Sequence, residues 1–325
     1  MYVWIHVDDT LIAADNLEDI EDFKRMMQTR FEITVNAEAD HHLGVNIKRL
    51  EDGALQLTQS KLLNSIFEEC KDAIDGLSTR HTVPLRPNKP PTDDTPYDRK
   101  DYLHLLGRSR PDIGTALSFA ATKSVSPTRH DYDNLLDIVR YLWQTRHIGL
   151  KIRPGNTNEP LRLKCYVDAS FLSHEDSRGH SGYCLAIGEL SSFYSKSSKQ
   201  QLVATSSTHA EVKALYQLTV DILFLINLSD EIQRPISLPA IVLEDNNPTV
   251  QLSSSLSSRI KRSKHFLMLI NFIRQQVSLG LIEVSKFASD DNIADVLTKA
   301  LPWRDFAPKA ARLLGIEEEE FDLGS

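Results

Sequence analysis

The stretch LRLKCYVDAS (161–170) alternates apolar and polar residues without a break. Leu161, Leu163, Cys165 and Val167 fall on one side; Arg162, Lys164, Tyr166 and Asp168 fall on the other. That period of two is the mark of a β-strand with two different faces. Downstream, SGYCLAIG (181–188) and SSFYSKSS (191–198) read as two further short strands, and STHAEVKALYQLTVDILFLINLSDEI (207–232) as one long helix. AIVLED (240–245) is a strand, and NPTVQLSS (247–254) a short helix with Pro248 near its first turn. KHFLMLINFIRQQVSLG (264–280) is a helix ending at Gly280, LIEVSKFA (281–288) a strand, and DDNIADVLTKAL (290–301) a terminal helix. Three strands, helix, strand, helices, strand, helix predict a mixed α/β layer with helices packed on a central sheet.

Upstream of this unit the pattern differs. MYVWIHV and TLIAA are two strands meeting at Asp8-Asp9, a hairpin. Leu17, Ile20, Phe23, Met27 and Phe31 recur at helical spacing after Asn16, a plausible cap. HHLGVNIKRLEDGALQLTQ reads as strand, turn at Asp52-Gly53, strand, and the next segment as a helix capped by Ser60. Residues 80–100 hold five prolines among polar residues and read as a linker or extended arm. PDIGTALSFAATKSV and HDYDNLLDIVRYLWQTRHIG are helical, and RPGNTNEP (153–160) is the best domain boundary.

A chain of 325 residues allows two domains, each able to bury a core. Its 41% apolar and 25% charged residues are those of a soluble globular protein. No run of eighteen apolar residues and no basic-then-apolar N-terminus occurs, so neither a membrane span nor a signal peptide is expected, and an intracellular location is. Cys70, Cys165 and Cys184 lack metal spacing and are expected to be reduced thiols. The net charge of −8 argues weakly against a general nucleic-acid binder, but RIKRSKH (259–265) concentrates cations and GIEEEEFDLGS (315–325) acids.

Four acids fall where elements begin or end: Asp168, Glu211, Asp245 and Asp295. Each has an ordinary reading. Asp168 can be a strand-end residue, Glu211 the partner of Thr208 in a capping box, Asp245 a helix-entry residue, and Asp295 a complement to a helix dipole. Brought together, four carboxylates repel unless cations neutralise them. Hard oxygen ligands suit Mg²⁺ or Mn²⁺, and a pair of such ions about 4 Å apart clamps a phosphodiester.

Their order and surroundings carry a resemblance. YVDASF (166–171), RGHSGY (178–183), SKSSKQQLVATSSTHAEVKAL (195–215), EDNNPTV (244–250), RSKHF (262–266) and NIADVLTKAL (292–301) resemble the ribonuclease H domain of Copia-type retrotransposon Pol polyproteins. VDDTLIAA (7–14) and HLGVNI (42–47) resemble that family's reverse transcriptase, and SRPDI (109–113) its connecting region. The resemblance implies an α/β chain: a ribonuclease H-like mixed sheet with packed helices, preceded by a truncated reverse-transcriptase palm and connection region. Four segments are expected: a palm/thumb remnant at 1–79, a linker and helical connection at 80–152, the ribonuclease H-like domain at 153–305, and a C-terminal helix with acidic tail at 306–325.

The implied activity is cleavage of the RNA strand of an RNA–DNA hybrid by two-metal hydrolysis, with Asp168, Glu211, Asp245 and Asp295 as metal ligands for two Mg²⁺ or Mn²⁺ ions. Ser170, Ser207 and Asn246 flank these acids and are candidates for 2′-OH contact, although polar neighbours more often cap locally. Arg259, Lys261, Arg262 and Lys264 are candidate phosphate contacts, and His265 matches the family's K-H-hydrophobic motif. Asp8 and Asp9 form a vestigial polymerase metal pair, because a third palm aspartate and the fingers do not fit into seven residues. His6 replaces the family's Tyr, and Gly107 runs almost directly into Arg110, shortening a connecting helix. The alternatives are a catalytically silent nucleic-acid-binding relic, or part of an RNA-directed DNA polymerase if the chain belongs to a longer polyprotein. No membrane partner is expected, and the oligomeric state stays open.

Overall fold

A computed structural model describes residues 1–36, 39–75, 81–86, 93–98, 110–153, 160–188, 192–254 and 264–321. The alternating stretch forms β7 (Leu161–Ser170), the central strand of a five-stranded mixed sheet. β8 (His180–Ile187) and β9 (Ser192–Lys199) add to one side of it antiparallel. β10 (Ile236–Glu244) and β11 (Ile282–Lys286) add to the other side parallel, giving the order β11-β10-β7-β8-β9. The parallel connections run through the long helix Ser207–Glu231 and through two helices, Asn247–Ser254 and Lys264–Ser278. The fold is the mixed α/β class expected.

Both faces of this sheet are covered, as parallel strands require. Leu163, Cys165, Val167 and Ala169 pack with the long helix and with Phe266, Ile270 and Ile273 in one core. The opposite face, with Tyr166, Cys184 and Leu243, joins a second core with Ile113, Leu135, Tyr141, Phe306 and Leu314. The long helix is long and apolar enough to cross a membrane by composition alone, but half of its most apolar window is buried on the sheet. All three cysteines are buried free thiols.

The N-terminal half forms two smaller sheets. β1 (Tyr2–His6) and β2 (Asp9–Ala13) make the expected hairpin, with Asp8 and Asp9 exposed at its turn. Among the described residues this ribbon pairs with no further strand, and Trp4, Ile5 and Val7 are exposed. Asn16 caps helix Leu17–Gln28 by accepting from the Asp19 amide at 2.8 Å. β3 (His41–His42), β4 (Val45–Arg49) and β5 (Leu55–Thr58) are joined by β6 (Leu150–Ile152). β6 was not anticipated: three residues are too short to show a period.

Several expectations are corrected. Ser60 is the first residue of helix Ser60–Glu69 and not its cap; Gln59 holds that position without a side-chain bond. One part of the proline-rich stretch is packed rather than free: His81, Val83 and Pro84 are buried, whereas residues 93–98 are exposed apart from the half-buried Tyr97 and touch down through the Pro96–Thr128 bridge. DDNIADVLTKAL does not form an α-helix. It folds as two 3₁₀ turns, Ser289–Asp291 and Ile293–Leu297, because Asn292 is fully buried between them. Its Nδ2 donates to the Val167 carbonyl at 2.9 Å and its Oδ1 accepts from the Ala294 amide at 3.1 Å, pinning the chain to β7. The last helix spans Trp303–Leu314 and ends at Gly315, whose φ of 71° closes it. The shortened segment after Gly107 lies outside the described residues up to Arg110.

Candidate metal centre

Asp168 lies near the end of β7, opposite Gly182 of β8. A Cβ at Gly182 would lie 2.5 Å from Thr298 Cγ2 and 2.8 Å from the Leu297 carbonyl carbon, so only glycine lets the 3₁₀ segment press onto the sheet here. That approach brings Asp295 and Thr298 against Asp168. The long helix begins after Ser206, whose side chain accepts from the His209 amide at 3.2 Å. The cap is therefore Ser206, and Glu211 is not the acid of a capping box with Thr208. Glu211 is free to face the strand ends. β10 ends at Glu244, and Asp245 follows it into helix Asn247–Ser254.

The structure brings all four predicted acids together and adds a fifth, Glu244. Carboxylate oxygens of Asp168, Asp245 and Asp295 lie within 4.8 Å of one another, as do those of Glu211, Glu244 and Asp245. Asp245 is common to both triads. Asp168, Glu211, Glu244 and Asp295 are buried, while Asp245 is half-buried.

The two triads differ in their partners. The Lys299 ammonium lies 3.1 Å from Asp168 Oδ1 and 2.5 Å from Asp295 Oδ1. Lys309, reaching from the last helix, donates to the other oxygen of Asp295, and the Thr298 hydroxyl donates to Asp168 Oδ2. On the other side, the Oε2 atoms of Glu211 and Glu244 are buried without a hydrogen-bond partner among the described residues. Among the described residues, Glu244 Oε1 accepts only from the Asn246 amide, at 2.8 Å. Lys286 donates to the backbone carbonyl of Asp245, not to its carboxylate.

The electrostatics follow from this. Burial, and then the charges of Glu244, Asp168 and Asp245, hold the Glu211 carboxyl well above the ordinary range. Burial pushes Glu244 up to about 8, against the pull of the Asn246 amide and reinforced by Asp245 and Asp168. Burial also raises Asp168, opposed by Lys299. Burial alone would lower the Lys299 ammonium, but Asp168 and Asp295 together raise it. Uncompensated buried carboxylates are costly, so this cluster suits a cation. Its oxygen-only donors and orphaned oxygens fit a hard divalent ion.

The remaining candidates are placed as follows. Ser170 Oγ donates to the Thr298 carbonyl at 3.1 Å, and the Asn246 side chain accepts from the Thr249 amide at 3.1 Å; both serve locally. Ser207 is exposed on the first turn of the long helix. Lys264 and His265 are exposed at the start of helix Lys264–Ser278, and the His265 ring centroid is 6.5 Å from that of His209. Arg259, Lys261 and Arg262 lie outside the described residues. Asp8 and Asp9 are on the hairpin and belong to neither acid triad. Sequence reasoning missed Glu244, Thr298, Lys299 and Lys309, although Thr298 and Lys299 lie within the quoted NIADVLTKAL segment. The signal for Glu244 was the doubled acid Glu244-Asp245 at a strand end; Lys309 on a distant helix offered none.

Residues 1–81 match the reverse transcriptase (RNA-dependent DNA polymerase) family. The Retrovirus-related Pol polyprotein from transposon RE1 of Arabidopsis thaliana is 27% identical over 319 residues, 95% of this chain. The Transposon TyH3 Gag-Pol polyprotein of Saccharomyces cerevisiae is 24% identical over 332 residues, 94% of this chain. The chain spans 21% and 18% of the lengths of these relatives. Among solved structures, LC11-RNase H1 in complex with RNA/DNA hybrid is 15% identical with a TM-score of 0.33, covering 42% of this chain and 94% of that chain. The foamy viral protease-reverse transcriptase dRH in complex with ds DNA is 13% identical with a TM-score of 0.45, covering 88% of this chain and 46% of that chain. The chain is similar to retrotransposon Pol polyproteins over more than nine-tenths of its own length and spans about a fifth of theirs.

Proposed function

We propose that this chain carries a divalent-cation-dependent nuclease of the ribonuclease H type, which hydrolyses the RNA strand of an RNA–DNA hybrid. The observation that supports it is the convergence of Asp168, Asp245 and Asp295, and of Glu211, Glu244 and Asp245, in two acid triads that share Asp245. Mg²⁺ or Mn²⁺ held by these carboxylates would supply the positive charge that stabilises the attacking and leaving oxygens of a phosphodiester. The protein's own contribution is positional. Thr298 and Lys299 fix the orientation of Asp168. Gly182 and Asn292 fix the backbone that carries Asp295. Lys299, 40% exposed, offers a positive charge to an approaching phosphate backbone.

The match of residues 1–81 to the reverse transcriptase family supports a second reading. Within a longer protein, the hairpin carrying Asp8 and Asp9 would belong to an RNA-directed DNA polymerase. Incubation of the purified chain with a labelled RNA–DNA hybrid and Mg²⁺ tests the first reading. The parent is expected to cut the RNA strand and Asp168→Asn to bind hybrid without cutting it. Equal cutting by both proteins, or none by a folded parent, refutes it.

A further inference from the structure

The five acids are not equivalent in charge. Asp168 and Asp295 face two ammonium groups, those of Lys299 and Lys309, within ion-pair distance. Lys309 is held there firmly: its side chain is 11% exposed, and its helix neighbours Phe306, Ala310 and Leu313 are buried in the core. Glu211, Glu244 and Asp245 face no ammonium within ion-pair distance among the described residues. Lys286, whose charge acts on Glu244, spends its hydrogen bond on the Asp245 backbone carbonyl. Glu211 Oε2 and Glu244 Oε2 are buried and unpartnered among the described residues, and one carboxylate oxygen from each of Glu211, Glu244 and Asp245 lies within 4.8 Å of the others. Glu244 is fully buried, a position that a glutamate occupies only with a partner.

We propose that the Glu211–Glu244–Asp245 triad is the primary divalent-cation site, with Glu244 as a ligand, and that Lys299 and Lys309 act as built-in counter-ions that hold the Asp168–Asp295 half. This rests on the nuclease reading for its purpose but not for its test. A divalent ion at the triad meets three carboxyl groups with no ammonium bonded to them, whereas a second ion at Asp168–Asp295 must displace an ammonium already bonded there. Lys309, outside every motif that carries the family resemblance, thereby sets how many ions the free protein holds.

Mn²⁺ titration of the full chain, followed by the electron paramagnetic resonance signal of free Mn²⁺ and by calorimetry, reads this directly. The parent is expected to take up one ion tightly. Lys309→Met is expected to take up two. Glu244→Gln is expected to weaken the tight ion by about tenfold or more, the scale of losing a metal-site partner. Circular dichroism and melting of each variant precede the titrations. If Lys309→Met does not fold, the parent stoichiometry and Glu244→Gln decide the matter. Two ions of similar affinity in the parent, or an unchanged affinity in Glu244→Gln, overturns the proposal. Cleavage of hybrid by a parent that binds two equal ions sinks this inference and leaves the nuclease reading intact. One tight ion without cleavage does the reverse.

Discussion

Replacing Glu244 by glutamine should make the metal-free protein more stable at alkaline pH while costing it its response to divalent cations. In the native chain burial pushes Glu244 from 4.5 up to about 8. Between those values the folded protein keeps a proton that the unfolded chain has released. Stability therefore falls as pH rises through this window, and is fully present only below it. Each tenfold change in proton affinity is worth 1.36 kcal/mol, so the span from 4.5 to about 8 sets a ceiling of about 5 kcal/mol. Glu211 shares the same repulsion, and removing one of the two charges relieves both, so a recovery on the order of 2 kcal/mol is expected. Glutamine keeps an oxygen for the Asn246 amide, now 2.8 Å from Glu244 Oε1, and fills the same volume.

The assay is urea unfolding of parent and Glu244→Gln at pH 5 and pH 8, in chelator and in excess Mg²⁺. In chelator the two proteins should have similar midpoints at pH 5, and the variant the higher midpoint at pH 8. With Mg²⁺ at about a hundred times its dissociation constant the parent should gain about 2.7 kcal/mol. The variant should gain much less. A variant less stable than the parent at pH 8 in chelator, or one that gains as much from Mg²⁺, would refute the reasoning that Glu244 is a strained carboxylate awaiting a cation.

Three further outcomes are expected. Gly182→Ala places a methyl 2.5 Å from Thr298 Cγ2 and should cost about 1–3 kcal/mol in melting experiments, with hybrid cleavage falling further because Asp295 and Lys299 move with that segment. Asn292→Ala strips the Val167 carbonyl and the Ala294 amide of their partner and should cost about 2 kcal/mol by urea unfolding; an unchanged midpoint would show that the 3₁₀ turns hold without it. Ser206→Ala removes the cap of the long helix and should cost about 1 kcal/mol in the same assay, with cleavage unchanged when corrected for folded fraction.

The order of strands and helices after residue 160 was legible because β7, the long helix and helix Lys264–Ser278 each bury a face with an unbroken period. The site was legible in part, since acids at the ends of such elements converge wherever the strands run side by side. What was hidden depended on contacts between distant segments. DNIADVL has a helical look, yet one buried asparagine bonded to β7 sets it as 3₁₀ turns. Residues 81–86 look like linker by composition, yet Val83 enters a core that includes Leu136 and Phe306. Glu244 was passed over because Asp245 was taken as the acid that ends its strand; the structure buries the glutamate and leaves the aspartate half-exposed.

The two cores also explain why the charge balance of the site depends on segments far outside it. Tyr166 and Leu243, on the strands that carry Asp168 and lead into Asp245, are buried against residues from the helices of 111–148 and from the last helix. Those same apolar contacts fix the rotation of the last helix, and with it the direction of Lys309. Loosening the core at Phe306 or Leu314 therefore perturbs Asp295 through its ammonium partner before it perturbs any carboxylate directly. Asp168 and Glu244 sit on the sheet, but Lys309, one of the two cations that divide the acids into unlike halves, is delivered by the packing of the last helix.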